Sequence, residues 1–379
     1  MKTIERIDLG TPSLGSTRHL TVHRYGRPGA RPKAYLQASL HADEIPPMLV
    51  QHHLIRLLDE ADRSGAIKGE IIVVPVANPI GSGQVFISAL AGRHDAASGG
   101  NFNRRWPDFS IGLADRVKSR LGGDEKANIA AVRQAIGEAI AETAAGSQLA
   151  RKRLALAHLA YDSDFVFDLH CDSESLLHLY LNTAHWPSAA DLSAEIGSRA
   201  TLVCDDSGAG SFDETFITPW TRLAAELGAK HPIPAPCLGA TIEYRGEGDV
   251  GDGLAEPDAH ALFRFFQRRG LIAGDPGALP KPLCEATRLE ATDIVRVEAP
   301  GVLAYRVELG QQVKKGEVIA DLVDPMADDP LKARQQITSK TDGLVLTRLH
   351  QKLVRPGDAV AKIVGRERLA YRKGALLDD

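Results

Sequence analysis

His41 and Glu44 stand three positions apart in Leu40-His41-Ala42-Asp43-Glu44. An imidazole nitrogen and a carboxylate so close can grip one metal ion from the same side. Residues 34–40 before them alternate apolar with small or polar side chains, as a partly buried strand does. Pro46 and Pro47 after them fit the first turn of a helix, where a missing N–H is harmless, and residues 48–58 continue with helical apolar spacing. The pair therefore belongs on a strand-to-helix loop and reads as half of a zinc site. A His-x-x-Glu arises by chance about once in a chain this rich in both residues. A solvated loop histidine beside a helix-start glutamate is the alternative, and the missing ligand has to be found elsewhere.

It is found at His170, which ends the apolar run Phe165-Val166-Phe167-Asp168-Leu169-His170. Open α/β sheets build their sites at the carboxyl ends of strands, so two strands ending in histidine are a stronger sign than either alone. Asp168 points to the same strand face as His170 and is placed to orient its imidazole. Two histidines and a carboxylate are the set that catalytic zinc uses while keeping one position open for water. Glu243, among apolar and β-branched neighbours in Ala240-Thr241-Ile242-Glu243-Tyr244, would have its pKa raised by burial and so suit general-base work; a nearby cation would oppose the rise. Gly92-Arg93 and Asn101-Phe102-Asn103-Arg104-Arg105-Trp106 lie in a long Gly- and Ser-rich loop. Arginine forks and an amide there can bind a carboxylate, or they face solvent. His52 and His53 read as surface or packing residues of the helix after Glu44.

The elements that must hold these groups are legible around them. Strands are expected near residues 20–23, 34–40, 70–76, 165–170, 177–181, 201–204 and 240–246. The all-apolar run at 70–76 marks a central strand covered on both faces. Residues 126–160 form one long helix or two consecutive ones, and further helices fall at 219–227 and 257–271. The chain's 379 residues, 44% hydrophobic and 25% charged, can fill one large core and a second small one. A net charge of -4 gives no basic field for nucleic acid. With no signal peptide and no membrane-length apolar run, a cytoplasmic protein without a membrane partner is expected. Cys171, Cys204, Cys237 and Cys284 form no Cys-x-x-Cys pair and read as reduced thiols.

Residues 273–280 are dense in turn formers, and the large domain is expected to close by residue 284. Beyond it a faint repeat relates Ala299-Pro300-Gly301-Val302 with residues 310–316 to residues 340–344 with 354–358. This second unit, 285–366 with a tail at 367–379, resembles the biotinyl and lipoyl carrier domains, small barrel-like sandwiches of two similar halves. The carriers' modified lysine would fall within 324–332, which lacks their Met-Lys-Met setting. Lys332 is therefore expected to be an ordinary surface residue, and the module structural or oligomerising.

Taken in order, Leu40-His41-Ala42-Asp43-Glu44, Gly92-Arg93, Asn101-Phe102-Asn103-Arg104, Asp168-Leu169-His170 and Ile242-Glu243-Tyr244 resemble the succinylglutamate desuccinylase and aspartoacylase family of the zinc carboxypeptidase superfamily. Ala42 stands where the family usually has Gly. The resemblance implies an α/β/α sandwich with a mixed central sheet, followed here by the small all-β barrel-sandwich module. It implies one Zn2+ per chain held by His41, Glu44 and His170. Glu243 would take a proton from the metal-bound water and pass it to the leaving amine. Arg93, with Arg105 as its rival, would stabilise the oxyanion, and Asn103 and Arg104 would clamp the substrate carboxylate.

From the residues alone the reading reaches zinc-dependent hydrolysis of an amide in a substrate that carries a carboxylate. The resemblance narrows it to deacylation of a small N-acyl amino acid, and the C-terminal module is similar to the family's bacterial deacetylase branch, which suggests an N-acetylated diamino acid. A metallocarboxypeptidase would use the same groups on an open groove. A non-catalytic carrier or binding protein would instead rely on the C-terminal module. A homodimer is the default assembly.

Overall fold

Lys33–Ala38 is buried at every position, as is Glu70–Val74, so these two runs lie at the centre of a sheet covered on both faces. The computed structural model describes residues 1–377. Its main sheet has nine strands: β1 (Thr3–Asp8), β2 (His19–Tyr25), β3 (Lys33–Ala38), β4 (Glu70–Val74), β5 (Phe165–Asp172), β6 (His178–Asn182), β7 (Thr201–Cys204), β8 (Leu238–Gly246) and β9 (Ala286–Arg288). Their spatial order is β1-β2-β4-β3-β5-β8-β6-β7-β9. The centre is parallel from β4 through β3 and β5 to β8, while β1, β2 and β6 introduce antiparallel pairs, so the sheet is mixed as expected.

The period of two along the strands divides the core. Leu36, Ala38, Phe165, Phe167 and Leu169 face α1 (Pro46–Arg63) and, ahead in the chain, the helix Asp252–Arg268. Tyr35, Ile72, Val74 and Val166 face the other way, toward α2 (Glu125–Glu142), α3 (Gln148–Ala160) and α4 (Glu214–Leu227); Asp252–Arg268 is α5. In α1 the buried Val50, Leu54, Leu58 and Ala61 form one stripe, which is why this segment is a helix that lies flat on the sheet. The expected run 126–160 is two helices, parted by Thr143, Ser147 and the residues between, where Ser147 caps α3 through its hydroxyl. Helices expected from Pro219 and Pro257 begin earlier, at Glu214 and Asp252, and each proline stands inside its helix as the sixth residue, where it forgoes one i→i−4 hydrogen bond.

The strand 240–246 is not the last of the main sheet. Beyond the turn-rich segment, β9 pairs in parallel with β7, so the ninth strand lies past the division expected at residue 284. Two further sheets then stack around Val295, Leu303, Ile319, Leu322, Val345, Val360 and Ile363. Their strands are β10 (Thr292–Arg296), β11 (Gly301–Tyr305), β12 (Val318–Val323), β13 (Arg334–Thr338), β14 (Gly343–Arg348) and β15 (Ala359–Val364). Lys332 is exposed between β12 and β13 and meets only Asp329 at 3.4 Å. Strand β14 also pairs with Glu174 and Ser175, immediately after β5, which stitches this small sandwich to the large domain beside the histidine-bearing strand end. Among the described residues no helix is long and apolar enough to cross a membrane, and no cysteine is in a disulfide.

Candidate metal centre

The turn after β3 is built to present His41. Ser39 takes a left-handed φ of 60°, and Asn78 holds the backbone that follows by donating to the Leu40 carbonyl at 2.8 Å. The Ala42 amide donates to the carbonyl of Gly92 at 3.0 Å. Any Cβ on Gly92 would stand 2.2 Å from the Asp43 nitrogen, so glycine is required where the Arg93 loop crosses the His41 loop.

His41, Glu44 and His170 converge from the ends of β3 and β5 with ligand atoms all within 4.8 Å of one another, and all three are buried. The Glu44 carboxylate lies between the rings: Oε1 is 2.8 Å from His41 Nδ1 and Oε2 is 2.7 Å from His170 Nδ1. The far nitrogens are engaged too. Asn101 Oδ1 accepts the Asn103 amide at 2.8 Å, which identifies it as the oxygen, and it lies 2.9 Å from His41 Nε2. That fixes the His41 proton on Nε2 and turns an unprotonated Nδ1 toward a carboxylate oxygen. Two acceptors at that separation call for a cation, and the Arg93 guanidinium reaches both, its Nη1 lying 3.4 Å from His41 Nδ1 and 3.3 Å from Glu44 Oε1.

Asp168 sits behind His170 with Oδ2 2.8 Å from Nε2, off the line of a good hydrogen bond, so the contact is mainly electrostatic. The other Asp168 oxygen accepts from Gln37 Nε2 at 2.9 Å, and Gln37 in turn accepts from the Tyr35 hydroxyl at 2.8 Å. This buried chain is the outer support that metal-binding histidines ordinarily have. Burial disfavours a charged His170, yet Asp168 and Glu44 outweigh it and hold its pKa well above the ordinary value. Burial pushes His41 down to about 4, with Glu44 opposing and Arg93 assisting, which keeps it in the neutral form a ligand needs. The donor set fits one metal ion, whose charge would replace the proton that Asp168 and Glu44 favour on His170.

The remaining predicted residues gather on one cavity of about 340 Å³, lined by His41, Glu44 and His170 and also by Arg93, Asn103, Arg104 and Glu243. Arg93 Nη1 is 3.3 Å from Glu44 Oε1. Arg105 is exposed, has a left-handed φ of 55° and lies outside that lining. Asn103 accepts the Phe212 amide at 2.8 Å, and its Nδ2 lies 3.3 Å from His170 Nε2. Glu243 pairs in register with His170 across β8 and β5 and so projects to the same face. Its Oε2 is shielded and has no hydrogen-bond partner. Burial, with the Glu44 carboxylate near, pushes Glu243 up to about 8, while His170 and Lys362 oppose the rise. His53, midway along α1, lies 2.8 Å from Asp252 and outside the cavity lining.

Four contributors escaped the sequence reading. Asn101 orients His41 from within the same motif as the expected clamp residues Asn103 and Arg104. Arg153 on α3 holds the loop of that motif, its Nη2 donating to the carbonyls of Asn101 and Arg104 and its Nη1 to that of Arg105. Lys362, on β15 of the small sandwich, pairs with Asp172 in the same cavity. Asp213 lines it from the start of α4. Only Asp172, two residues beyond His170 on the same strand face, left a periodic signal in the sequence.

A mixed α/β sandwich with a buried His–Glu–His metal site at its strand ends defines a metal-dependent hydrolase scaffold. Residues 30–235 match the succinylglutamate desuccinylase/aspartoacylase catalytic domain, and the chain belongs to that family of deacylases. It is 25% identical over 346 residues to the N-alpha-acetyl-L-2,4-diaminobutyric acid deacetylase of Halomonas elongata, spanning 88% of this chain and 82% of that protein. The crystal structure of a succinylglutamate desuccinylase/aspartoacylase family protein from Shewanella amazonensis superposes with a TM-score of 0.83 at 23% identity, covering 96% of this chain and 98% of that one. The product-bound ectoine utilization protein EutE from Ruegeria pomeroyi shares the fold with a TM-score of 0.65 at 16% identity, covering 96% and 94%.

Proposed function

We propose that this protein is a zinc-dependent amidohydrolase that deacylates a small N-acyl amino acid, with an N-acetylated diamino acid as the substrate of choice. The observation that carries the reading is the cavity itself: the metal triad opens into about 340 Å³ capped by β14, β15 and the turn between them. Such a space suits a molecule of amino-acid size, which favours deacylation over carboxypeptidase activity. The substrate of the Halomonas elongata relative supports the diamino acid.

His41 and His170 through Nδ1, with Glu44 between them, would hold the ion. Bound zinc supplies Lewis acidity toward the acyl carbonyl and toward water. Glu243 takes the proton of the attacking water with its shielded carboxylate and returns it to the departing amine nitrogen. Asn103 and Arg104 bind the substrate carboxylate, and Arg93 stabilises negative charge developing on the acyl oxygen.

The test is to measure metal by mass spectrometry and to incubate the protein with a mixed pool of N-acyl amino acids and of free-ended and blocked peptides. One zinc per chain with amine released from N-acyl amino acids alone is the expected result. Cleavage of free-ended peptides would transfer the assignment to a carboxypeptidase.

A further inference from the structure

Asp213 occupies the position just before α4, where an aspartate ordinarily accepts hydrogen bonds from the first-turn amides. Its side chain makes no such bond. Glu214 instead braces the loop ahead of the helix, accepting the Ser207 amide at 2.7 Å, the Ser207 hydroxyl at 2.7 Å and the Ser211 amide at 3.3 Å. Asp213 turns instead over β8 and into the cavity that holds the metal triad, although only 7% of the residue is exposed. The approach is close: a Cβ on Gly239 of β8 would stand 2.9 Å from the Asp213 carbonyl oxygen.

The carboxylate is held but not neutralised. It accepts the Ser211 hydroxyl at 2.7 Å, and Thr241 of β8 favours its charged form. Among the described residues no Lys, Arg or His forms an ion pair with it. Burial, with Glu214 adjacent, pushes it up to about 6, the mark of a buried carboxylate that lacks a cation. The other acids of the cavity are already engaged or, in the case of Glu243, assigned to proton transfer. Asp172 is paired with Lys362, Glu214 is saturated by serines, Glu247 lies 3.3 Å from His350 Nδ1, and Glu243 faces the triad strand.

Position adds a second argument. The residue before Asp213 donates its amide to Asn103 Oδ1, so Asp213 is tied within one residue of the proposed carboxylate clamp. A substrate held there by its carboxylate would carry any second amine into the reach of the same small cavity. Building on the deacylase reading, we propose that Asp213 is the specificity residue that receives a cationic amine on the substrate, selecting N-acyl diamino acids over N-acyl amino acids with uncharged side chains.

The experiment compares Nα-acetyl-2,4-diaminobutyrate with Nα-acetyl-2-aminobutyrate, the same chain without the terminal amine, in the wild-type metalloenzyme and in Asp213→Asn. Asparagine keeps an oxygen for Ser211 and an isosteric fit, so the fold is retained. The wild type should favour the diamino substrate in kcat/KM at least tenfold, mostly through KM, and Asp213→Asn should bring that ratio near one. Calorimetry of the wild type with 2,4-diaminobutyrate and with 2-aminobutyrate reads the same preference without a variant. Equal handling of both substrates by the wild type, or an unchanged ratio in Asp213→Asn, overturns the role of Asp213 and leaves the deacylase reading standing. A zinc-loaded wild type that cleaves neither compound, nor any N-acyl amino acid of the pool, overturns both.

Discussion

Lys362 of the C-terminal sandwich is ion-paired with Asp172, two residues beyond the His170 at the end of β5. About a quarter of the lysine side chain and a fifth of the aspartate still meet solvent. Removing one partner of a fully buried pair costs about 3–5 kcal/mol, and the residual exposure reduces that to about 1–3 kcal/mol here. Lys362→Met should therefore destabilise the protein by that amount in urea titration. Lys362→Met with Asp172→Asn should recover at least half of it, since no uncompensated charge is left. Equal stability of the single and double variants would show that the pair does not join the modules.

Glu243 supplies the pH dependence. A general base works as the carboxylate, so kcat/KM should rise with pH through the Glu243 pKa. Burial, with the Glu44 carboxylate near, pushes that value up to about 8, and a bound cation pulls it lower, so the ascending limb should lie below 8 in the metal-loaded enzyme. Lys362 favours the ionised form, and its loss should move the limb upward. Glu243→Gln should keep its metal while kcat falls about 10²–10⁴-fold. A variant with normal metal content and normal turnover would remove Glu243 from proton transfer.

Asp168 is expected to act through His170. Asp168→Asn keeps the oxygen that Gln37 needs, but it sets an amide donor or a weaker acceptor against His170 Nε2. The ring then loses its preference for the tautomer with a free Nδ1. Metal affinity should drop about 10–100-fold in competition with a chelating dye, with little change in Tm of the metal-free protein. Unaltered affinity would make the Asp168 contact a packing feature only.

What the sequence made legible, and what it hid, follows from how far apart the partners are in the chain. His41 with Glu44, and Asp168 with His170, are local, so strand and loop periodicity places each pair without knowledge of the fold. The helix α1 was readable from its stripe and its two prolines for the same reason. Lys362 meets Asp172 across 190 positions, and Arg153 meets the Asn101 loop across about fifty. Such contacts exist only after the sheet has formed, and nothing in their immediate neighbours signals them. Strand β9 escaped because three residues of intermediate burial carry almost no period. Asp213 was hidden differently: an aspartate before a helix looks like a cap, and only the folded structure shows that its side chain makes no capping bond and turns into the cavity.

Arg153 should prove to be a positioning residue for the clamp. Its guanidinium ties three carbonyls of the Asn101 to Arg105 loop and lies over the Trp106 ring at 5.5 Å. Lysine keeps the charge but cannot fork between those acceptors. Arg153→Lys should raise KM for a carboxylate-bearing substrate on the order of tenfold, with a smaller fall in kcat. A uniform loss of kcat with KM constant would point to a role in the chemical step instead.

Lys152, the neighbour of Arg153 on α3, is fully buried, and its Nζ has no hydrogen-bond partner, resting 4.4 Å from the centre of the Phe102 ring. Burial, with Arg153 adjacent, holds its pKa well below the ordinary value, against the pull of Asp168 and Asp95. A lysine with a depressed folded pKa binds fewer protons in the native than in the unfolded state. The native state is therefore penalised as pH falls from the unfolded value of about 10.4 toward the folded one, and the penalty is complete below the latter. Lys152→Met removes the titrating group and keeps most of the apolar volume over Phe102. At neutral pH it should be at least as stable as the wild type, and its advantage should shrink as pH is raised toward 10. A stability difference that stays flat with pH would show that Lys152 keeps its proton inside the fold, in which case the Phe102 ring and the carboxylates of Asp168 and Asp95 are enough to hold a charge there.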